Sequence, residues 1–223
     1  MKAYERLLNY VKVPTPSNEK SGTHPSSECQ RVLADQLEKE MKELGLTEVV
    51  LDDKCYLYGK LPAMEGKKEI PALGFIAHMD TVSDFADHAV NPIVHENYDG
   101  KDLKLADSGR TLEVSVFPHL PSLAGRTLIT SDGTTVLGAD DKAGVAEIRK
   151  LAEALLAGEI PHGPISIGFT PDEEIARGAK HFDVEGFGAD YAYTLDGDEE
   201  GEIQFENFNA STAFITIHGV SVH

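Results

Sequence analysis

The run PALGFIAHMD, residues 71–80, has the pattern of a β-strand that is buried on both faces. It is apolar for the length of a strand and then ends in two polar side chains, His78 and Asp80. Continuous apolar strands are typical of parallel sheets, because helices cover both faces of such sheets. The run therefore predicts a central strand of an α/β fold.

Two later segments have a similar pattern. PISIGFT at 164–170 and YAYTL at 191–195 are largely apolar and of strand length, and the helical spacing of apolar residues at 143–156 predicts a helix. Strand, helix and strand in this order form a βαβ unit with parallel strands. Residues 49–51 and 55–59 instead predict an antiparallel pair around a turn. We therefore expect an α/β fold with a mixed, mostly parallel sheet flanked by helices.

The segment between the first strand and the helix is less regular. Residues 84–125 are rich in Asp, His and Pro, and this composition predicts a long functional loop or insertion. Residues 127–130 and 134–137 flank Ser131-Asp132-Gly133, which predicts a β-hairpin.

The composition limits the partners that the chain can bind. The chain has 20 Lys and Arg against 38 Asp and Glu, a formal net charge of −18, which disfavours nucleic acids and anionic membranes. Two cysteines cannot form a disulfide scaffold or a Cys-rich zinc site, and their scarcity fits a reducing compartment. No apolar run reaches about 18 residues, and residues 1–6 do not begin a signal peptide. We expect a cytoplasmic protein.

Acidic residues follow each of the three predicted parallel strands. Because ligands bind at the carboxyl ends of such strands, we expect one crevice to contain a histidine and several carboxylates: His78, Asp80, Asp140, Glu173, Glu174 and Asp196. Carboxylates packed this closely repel one another unless they take up protons or bind a cation. One imidazole among carboxylates favours zinc over manganese or cobalt, and this number of ligands can hold two metals about 3.5–4 Å apart.

The spacing of these residues predicts their roles. His78 is a candidate ligand, and Asp80 emerges on the same side of the strand, where it can orient the imidazole. Asp140 is a candidate bridging ligand. One of Glu173 and Glu174 is expected to bind metal while the other acts as the general base. Each residue alone has a more ordinary interpretation, such as a helix cap or a turn, and only the joint pattern favours a metal site.

Four motifs resemble those of the M20 family of zinc peptidases. They are HMDT at 78–81, LGADDKAG at 137–144, PDEEIARGA at 171–179 and YTLDG at 193–197. The resemblance extends over essentially the whole chain, and the four blocks in this order are highly specific. It implies a zinc-exopeptidase-like catalytic domain that removes the N-terminal residue from tripeptides.

The resemblance also implies a role for each site residue. His78, Asp140 and Asp196 would bind one Zn²⁺, and Asp140 and Glu174 would bind a second. Glu173 would be the general base that activates the water molecule, and Asp80 would orient His78. The Asp140–Asp141 peptide bond would be cis.

The end of the chain resembles the first strand of the family's lid, or dimerisation, domain. ITIHGVSVH, residues 215–223, ends at His223, which matches a histidine that helps polarise the scissile carbonyl in a partner subunit. The resemblance implies a catalytic domain over 1–208, whose remaining part lies outside this sequence, and the start of the lid over 209–223. It also implies a homodimer formed through the lid.

Two alternatives to a tripeptide aminopeptidase remain open. The same fold could act as another M20 hydrolase, such as a dipeptidase, carboxypeptidase or deacylase. The 223-residue chain alone could also be a catalytically silent metal-binding fragment, because the family's second histidine ligand of the second zinc has no counterpart in it.

Overall fold

A computed structural model of the chain describes residues 1–86, 88–106, 108–197, 200–206, 209–211 and 213–220. Its α-helices are α1 (Ala3–Tyr10), α2 (Cys29–Leu44), α3 (Ala139–Leu156) and α4 (Val184–Phe187). Its strands are β1 (Thr47–Leu51), β2 (Leu57–Leu61), β3 (Leu73–His78), β4 (Ile93–His95), β5 (Leu103–Lys104), β6 (Thr111–Leu112), β7 (Leu128–Thr130), β8 (Ile165–Thr170) and β9 (Tyr191–Thr194). Two short 3-10 helices span Leu120–Leu123 and Glu173–Ile175.

The principal sheet has five strands in the order β1-β2-β8-β3-β9. β3 pairs in parallel with both β8 and β9, whereas β2 is antiparallel to β1 and to β8. The sheet is therefore mixed, and the predicted α/β class is confirmed. The register places His78 opposite Thr170 and Ile76 opposite Thr194, so the carboxyl ends of the three parallel strands meet at one edge.

Helices cover one face of this sheet. α3 packs against β3, α1 packs against α3, and α2 packs against β1 and β2. The shared core is formed by buried apolar side chains, among them Leu33, Leu37, Met41, Leu57, Ala77, Ile148, Ile167 and Phe169. Each large apolar side chain buried in this way contributes about 1.5–3 kcal/mol. This packing supports the strand ends that carry the polar residues.

The segment after β8 covers the opposite face. Phe182 and Phe187 pack edge to face, with ring centroids 5.0 Å apart, and lie over two glycines of the sheet. A Cβ atom on Gly74 would lie 2.5 Å from Phe187 Cε1, so only glycine permits this close approach.

The predicted hairpin at 127–137 is not formed. β7 pairs with β4 instead, and residues 134–137 contain no strand. Side chains of the intervening loop explain the difference: the Ser131 hydroxyl donates to the carbonyl of Thr135, and Asp132 Oδ1 accepts the Thr134 N–H. These local bonds satisfy the backbone groups that a hairpin ladder would use. The insertion predicted as a loop at 84–125 contains the short strands β4, β5 and β6.

The last part of the chain carries few regular elements. Residues 200–206, 209–211 and 213–220 contain no helix or strand. The domain boundary between 208 and 209 stays a prediction. Among the helices described above, none is long and apolar enough to cross a membrane.

Candidate metal centre

The carboxyl edge of the parallel strands gathers the predicted site residues. His78 is the last residue of β3, Glu173 and Glu174 follow β8, and Asp196 lies two residues after β9. Asp140 enters from the start of α3, where its backbone and that of Asp141 depart from helical geometry. The Asp140–Asp141 peptide bond is cis.

His78 lies at the middle of this cluster. Its Nε2 atom is 2.8 Å from Asp140 Oδ1 and 3.8 Å from both Glu173 Oε2 and Asp196 Oδ2. Two sets of side chains place one potential ligand atom each within 4.8 Å of the others: His78, Glu173 and Asp196, and His78, Asp140 and Glu174. A nitrogen with carboxylate oxygens at this spacing matches the donor set of zinc and related divalent metals.

One of these sets differs from the ligand sets that the family resemblance implies. The resemblance places His78 with Asp140 and Asp196, whereas the geometry groups His78 and Asp196 with Glu173; the pairing of Asp140 with Glu174 is common to both. The structure brings all five side chains together but does not separate the base from the ligands. His223 lies outside the described residues.

Asp80 contacts His78 and is fully buried. His78 Nδ1 is 3.0 Å from the Asp80 carbonyl oxygen and 3.3 Å from Asp80 Oδ1, which leaves Nε2 facing the carboxylates. The same Asp80 carboxylate accepts the backbone N–H groups of Glu173 and Glu174, at 3.0 and 3.2 Å, and the hydroxyl of Ser17. The contact between Asp80 and His78 agrees with the sequence-based expectation, and the orienting role of Asp80 stays a prediction. The spacing of the sequence did not indicate the hydrogen bonds from the Glu173 and Glu174 backbone to Asp80.

The carboxylates of the centre disfavour one another's charge. Burial, followed by the charges of neighbouring acids, raises the pKa of Glu173, Glu174 and Asp196. Burial opposes protonation of His78, but the hydrogen bond and charge of Asp80, with those of other acids, outweigh it and raise its pKa to about 10. A bound cation would offset the same repulsion.

Asp141 is a buried residue of the site that the sequence patterns did not single out. Its carboxylate accepts the backbone N–H groups of His78 and Gly144, both at 3.1 Å. Burial raises its pKa to about 8. Asp141 thus braces β3 against α3 behind the metal ligands. The only signal in the sequence was its place beside Asp140.

No family model matches the chain. It is 55% identical over 223 residues to peptidase T of Clostridium perfringens strain ATCC 13124 and 51% identical over 224 residues to peptidase T of Bacillus licheniformis. Both matches cover 100% of this chain and 54% of the relative, so the chain spans about half the length of the curated relatives it matches.

Solved structures share the fold. Aminopeptidase PepT from Bacillus cereus aligns with a TM-score of 0.62 at 29% identity, and a tripeptidase from Staphylococcus aureus aligns with 0.60 at 28%. Each alignment covers 89% of this chain and 43% of the other. An M20 family metallo-carboxypeptidase from Sulfolobus solfataricus, 14% identical with a TM-score of 0.54 over 89% of this chain and 38% of its own, has the same fold.

The chain is thus similar over its whole length to part of peptidase T, and its fold is that of solved aminopeptidase and M20 metallopeptidase structures.

Proposed function

We propose that the protein is a dizinc aminopeptidase that removes the N-terminal residue from tripeptides. The observation that carries the proposal is the position of His78 among four carboxylates at the carboxyl edge of the sheet. The relatives named peptidase T and the similar tripeptidase structure support a tripeptide as the substrate.

The residues present fit a pair of metal ions. Two sets of side chains have the spacing to hold an ion, and because His78 Nε2 can bind only one ion, the second depends on the carboxylates. Burial is the largest cause of the raised pKa values of Glu173, Glu174 and Asp196, and neighbouring negative charges, which cations offset, add to it. We assign His78, Asp140 and Asp196 to one zinc, and Asp140 and Glu174 to the other, as in the family. Bound zinc would supply Lewis acidity toward the scissile carbonyl and toward a water molecule.

Glu173 is our candidate general base. Its backbone N–H is held by Asp80, while its side chain is half exposed and lines a cavity together with His78 and Asp196. Glu174 is held more tightly, because its Oε1 accepts the Val82 N–H at 3.1 Å. This contrast favours Glu174 as the fixed ligand and Glu173 as the group that takes a proton from water and passes it to the leaving amine.

Replacement of Glu173 tests this assignment. In the full-length protein, Glu173→Gln is expected to lower tripeptide turnover about 10²–10⁴-fold, because general-base catalysis contributes that much. Metal content, measured by atomic emission, should stay at the parent value. Glu185→Gln, an exposed acid of α4, is the matched control. Undiminished turnover of Glu173→Gln would sink the assignment, and equal cleavage of peptides with a blocked amino terminus would contradict an aminopeptidase.

We also propose the domain division and partners that the family resemblance implies. Residues 1–208 belong to the catalytic domain and 209–223 begin a lid through which two subunits pair, with His223 contacting substrate in the partner subunit. The scarcity of cysteines supports a cytoplasmic location. Sedimentation of the full-length protein tests the pairing, and a monomer at micromolar concentration would contradict it.

A further inference from the structure

Asp172 is a buried carboxylate immediately before Glu173. Its exposed fraction is 0%, its φ is 59°, and it stands at the start of the 3-10 helix Glu173–Ile175. A buried carboxylate is tolerated when donors replace its lost hydration. The chemistry proposed above gives Asp172 no role. The reason for burying this carboxylate beside Glu173 must therefore lie in the groups that bind it.

Residues before and within α2 supply these donors. The Ser26 N–H lies 2.8 and 3.0 Å from the two carboxylate oxygens of Asp172, and the Ser26 hydroxyl donates to Oδ1 at 2.5 Å. Gln30 Nε2 donates to the same oxygen at 2.8 Å. His24 Nδ1 lies 3.0 Å from Oδ2 but makes no hydrogen bond within the described residues, and the His24 ring stacks on Tyr56. Ser26 and Gln30 thus supply the hydrogen bonds that hold the carboxylate.

Residues before α2 also contact Asp80, the second buried carboxylate that holds the backbone around Glu173. Asp80 holds the Glu173 and Glu174 N–H groups, and the Ser17 hydroxyl donates to Asp80. Further along, the Arg177 guanidinium donates to the carbonyls of Glu19 and Ser21. Residues 17–30, which we call the clamp segment, therefore contact both ends of residues 172–177, which we call the Glu173 loop.

We propose that Asp172 is a positioning residue for Glu173, held in place by Ser26 and Gln30 of the clamp segment. The inference rests on the proposed function, because it needs Glu173 to act as the base. Asp172 and Glu173 are joined by one peptide unit, so a shift of the Asp172 carboxylate moves the base directly. A displacement of about 1 Å from reacting geometry costs on the order of 10²-fold in rate.

Substitutions at Gln30 and Ser26 remove two of these donors separately. Gln30→Met keeps the side-chain volume but loses the amide that donates to Asp172. Ser26→Ala loses the hydroxyl donor, and Ser26→Thr keeps it. The measurements are kcat, KM and zinc content of the full-length metal-loaded protein with a tripeptide. Gln36→Met, which loses an amide that donates to Glu40 in the same helix, is the control.

We expect Gln30→Met to lower kcat about 10-fold or more, with KM and zinc content within about twofold of the parent. Ser26→Ala should also lower kcat, Ser26→Thr should regain part of that loss, and Gln36→Met should match the parent. Ser26→Ala serves as the second variant if Gln30→Met does not fold.

Two results would overturn the positioning role. One is a parental kcat in both Gln30→Met and Ser26→Ala, and the other is a Ser26→Thr protein no faster than Ser26→Ala. With Glu173→Gln inactive in the same assay, either result removes the role of Asp172 and leaves the proposed function standing. An active Glu173→Gln protein would instead remove the proposed function itself.

Discussion

Asp80 shows how one side chain can serve two parts of a metal centre. Its carboxylate faces His78 Nδ1 on one side and accepts the Glu173 and Glu174 N–H groups on the other. A single buried carboxylate therefore contacts both the imidazole of the proposed metal centre and the backbone of Glu173, the proposed base. Replacing Asp80 would disturb both at once, so its effect on turnover would exceed that of either contact alone.

Gly144 provides a prediction at the scale of one residue. A Cβ atom here would collide with the carbonyl oxygen of Leu195 and with Asp141 Oδ1. Alanine favours a helix over glycine by about 0.5–1 kcal/mol, but overpacking costs about 1–3 kcal/mol and the colliding carbonyl cannot rotate away. Gly144→Ala should therefore lower the free energy of unfolding and weaken zinc binding, because Leu195 precedes the ligand Asp196.

Urea denaturation and zinc titration would measure the two effects of Gly144→Ala. Gly22→Ala is the matched control, since a Cβ there would meet nothing within 4 Å. A Gly144→Ala protein as stable as the control would show that α3 and the end of β9 separate freely.

The short helix α4 packs on one face of the sheet and anchors the segment after β8, which carries Glu173 and Glu174. Phe187 is buried against Gly74 and Gly168, and Ser166 donates its hydroxyl to the Phe187 carbonyl. Phe187→Ala should destabilise the protein by about 3–5 kcal/mol, the usual cost of emptying a buried aromatic site. Val184→Ala, in the same helix but exposed, should cost less than about 0.5 kcal/mol. Thermal unfolding compares the two, and equal costs would refute the anchoring role.

The elements differ in how far the sequence predicts them. β3 and β8 follow from uninterrupted apolar runs, because burial on both faces leaves no room for polar residues. Their motifs also placed His78, Glu173 and Glu174 at one edge. The predicted hairpin at 127–137 failed because side-chain bonds of Ser131 and Asp132 close a local loop, while β7 finds its partner in β4, far back in the chain.

The role of Asp172 escaped sequence analysis for a related reason. Its donors Ser26 and Gln30 lie 146 and 142 residues away. Local patterns predict helices and strands, but they carry no information on which distant loop supplies a hydrogen bond. Motif spacing alone would assign Asp172 to a turn.

For the whole molecule, the net charge of −18 makes metal binding a matter of stability as well as of chemistry. Ions that bind only the folded state stabilise it by about 2.7 kcal/mol when their free concentration is 100 times Kd. Removing zinc with a chelator should therefore lower the midpoint of thermal unfolding, and added zinc should restore it. The His78→Gln protein should respond less, because it lacks the one imidazole ligand of the proposed centre. An equal response of both proteins would place the stabilising ion elsewhere.

The contact between the clamp segment and the Glu173 loop joins residues made at very different times on the ribosome. Ser26 precedes Asp172 by 146 positions, which at about 5–20 residues per second corresponds to roughly 7–30 s of translation. Throughout that interval Ser26 and Gln30 lack the Asp172 carboxylate to which they donate. The clamp contact can form only after β8, the second of the three parallel strands, and Asp172 behind it have been made, so the proposed base cannot take its place in the first three quarters of this sequence's synthesis.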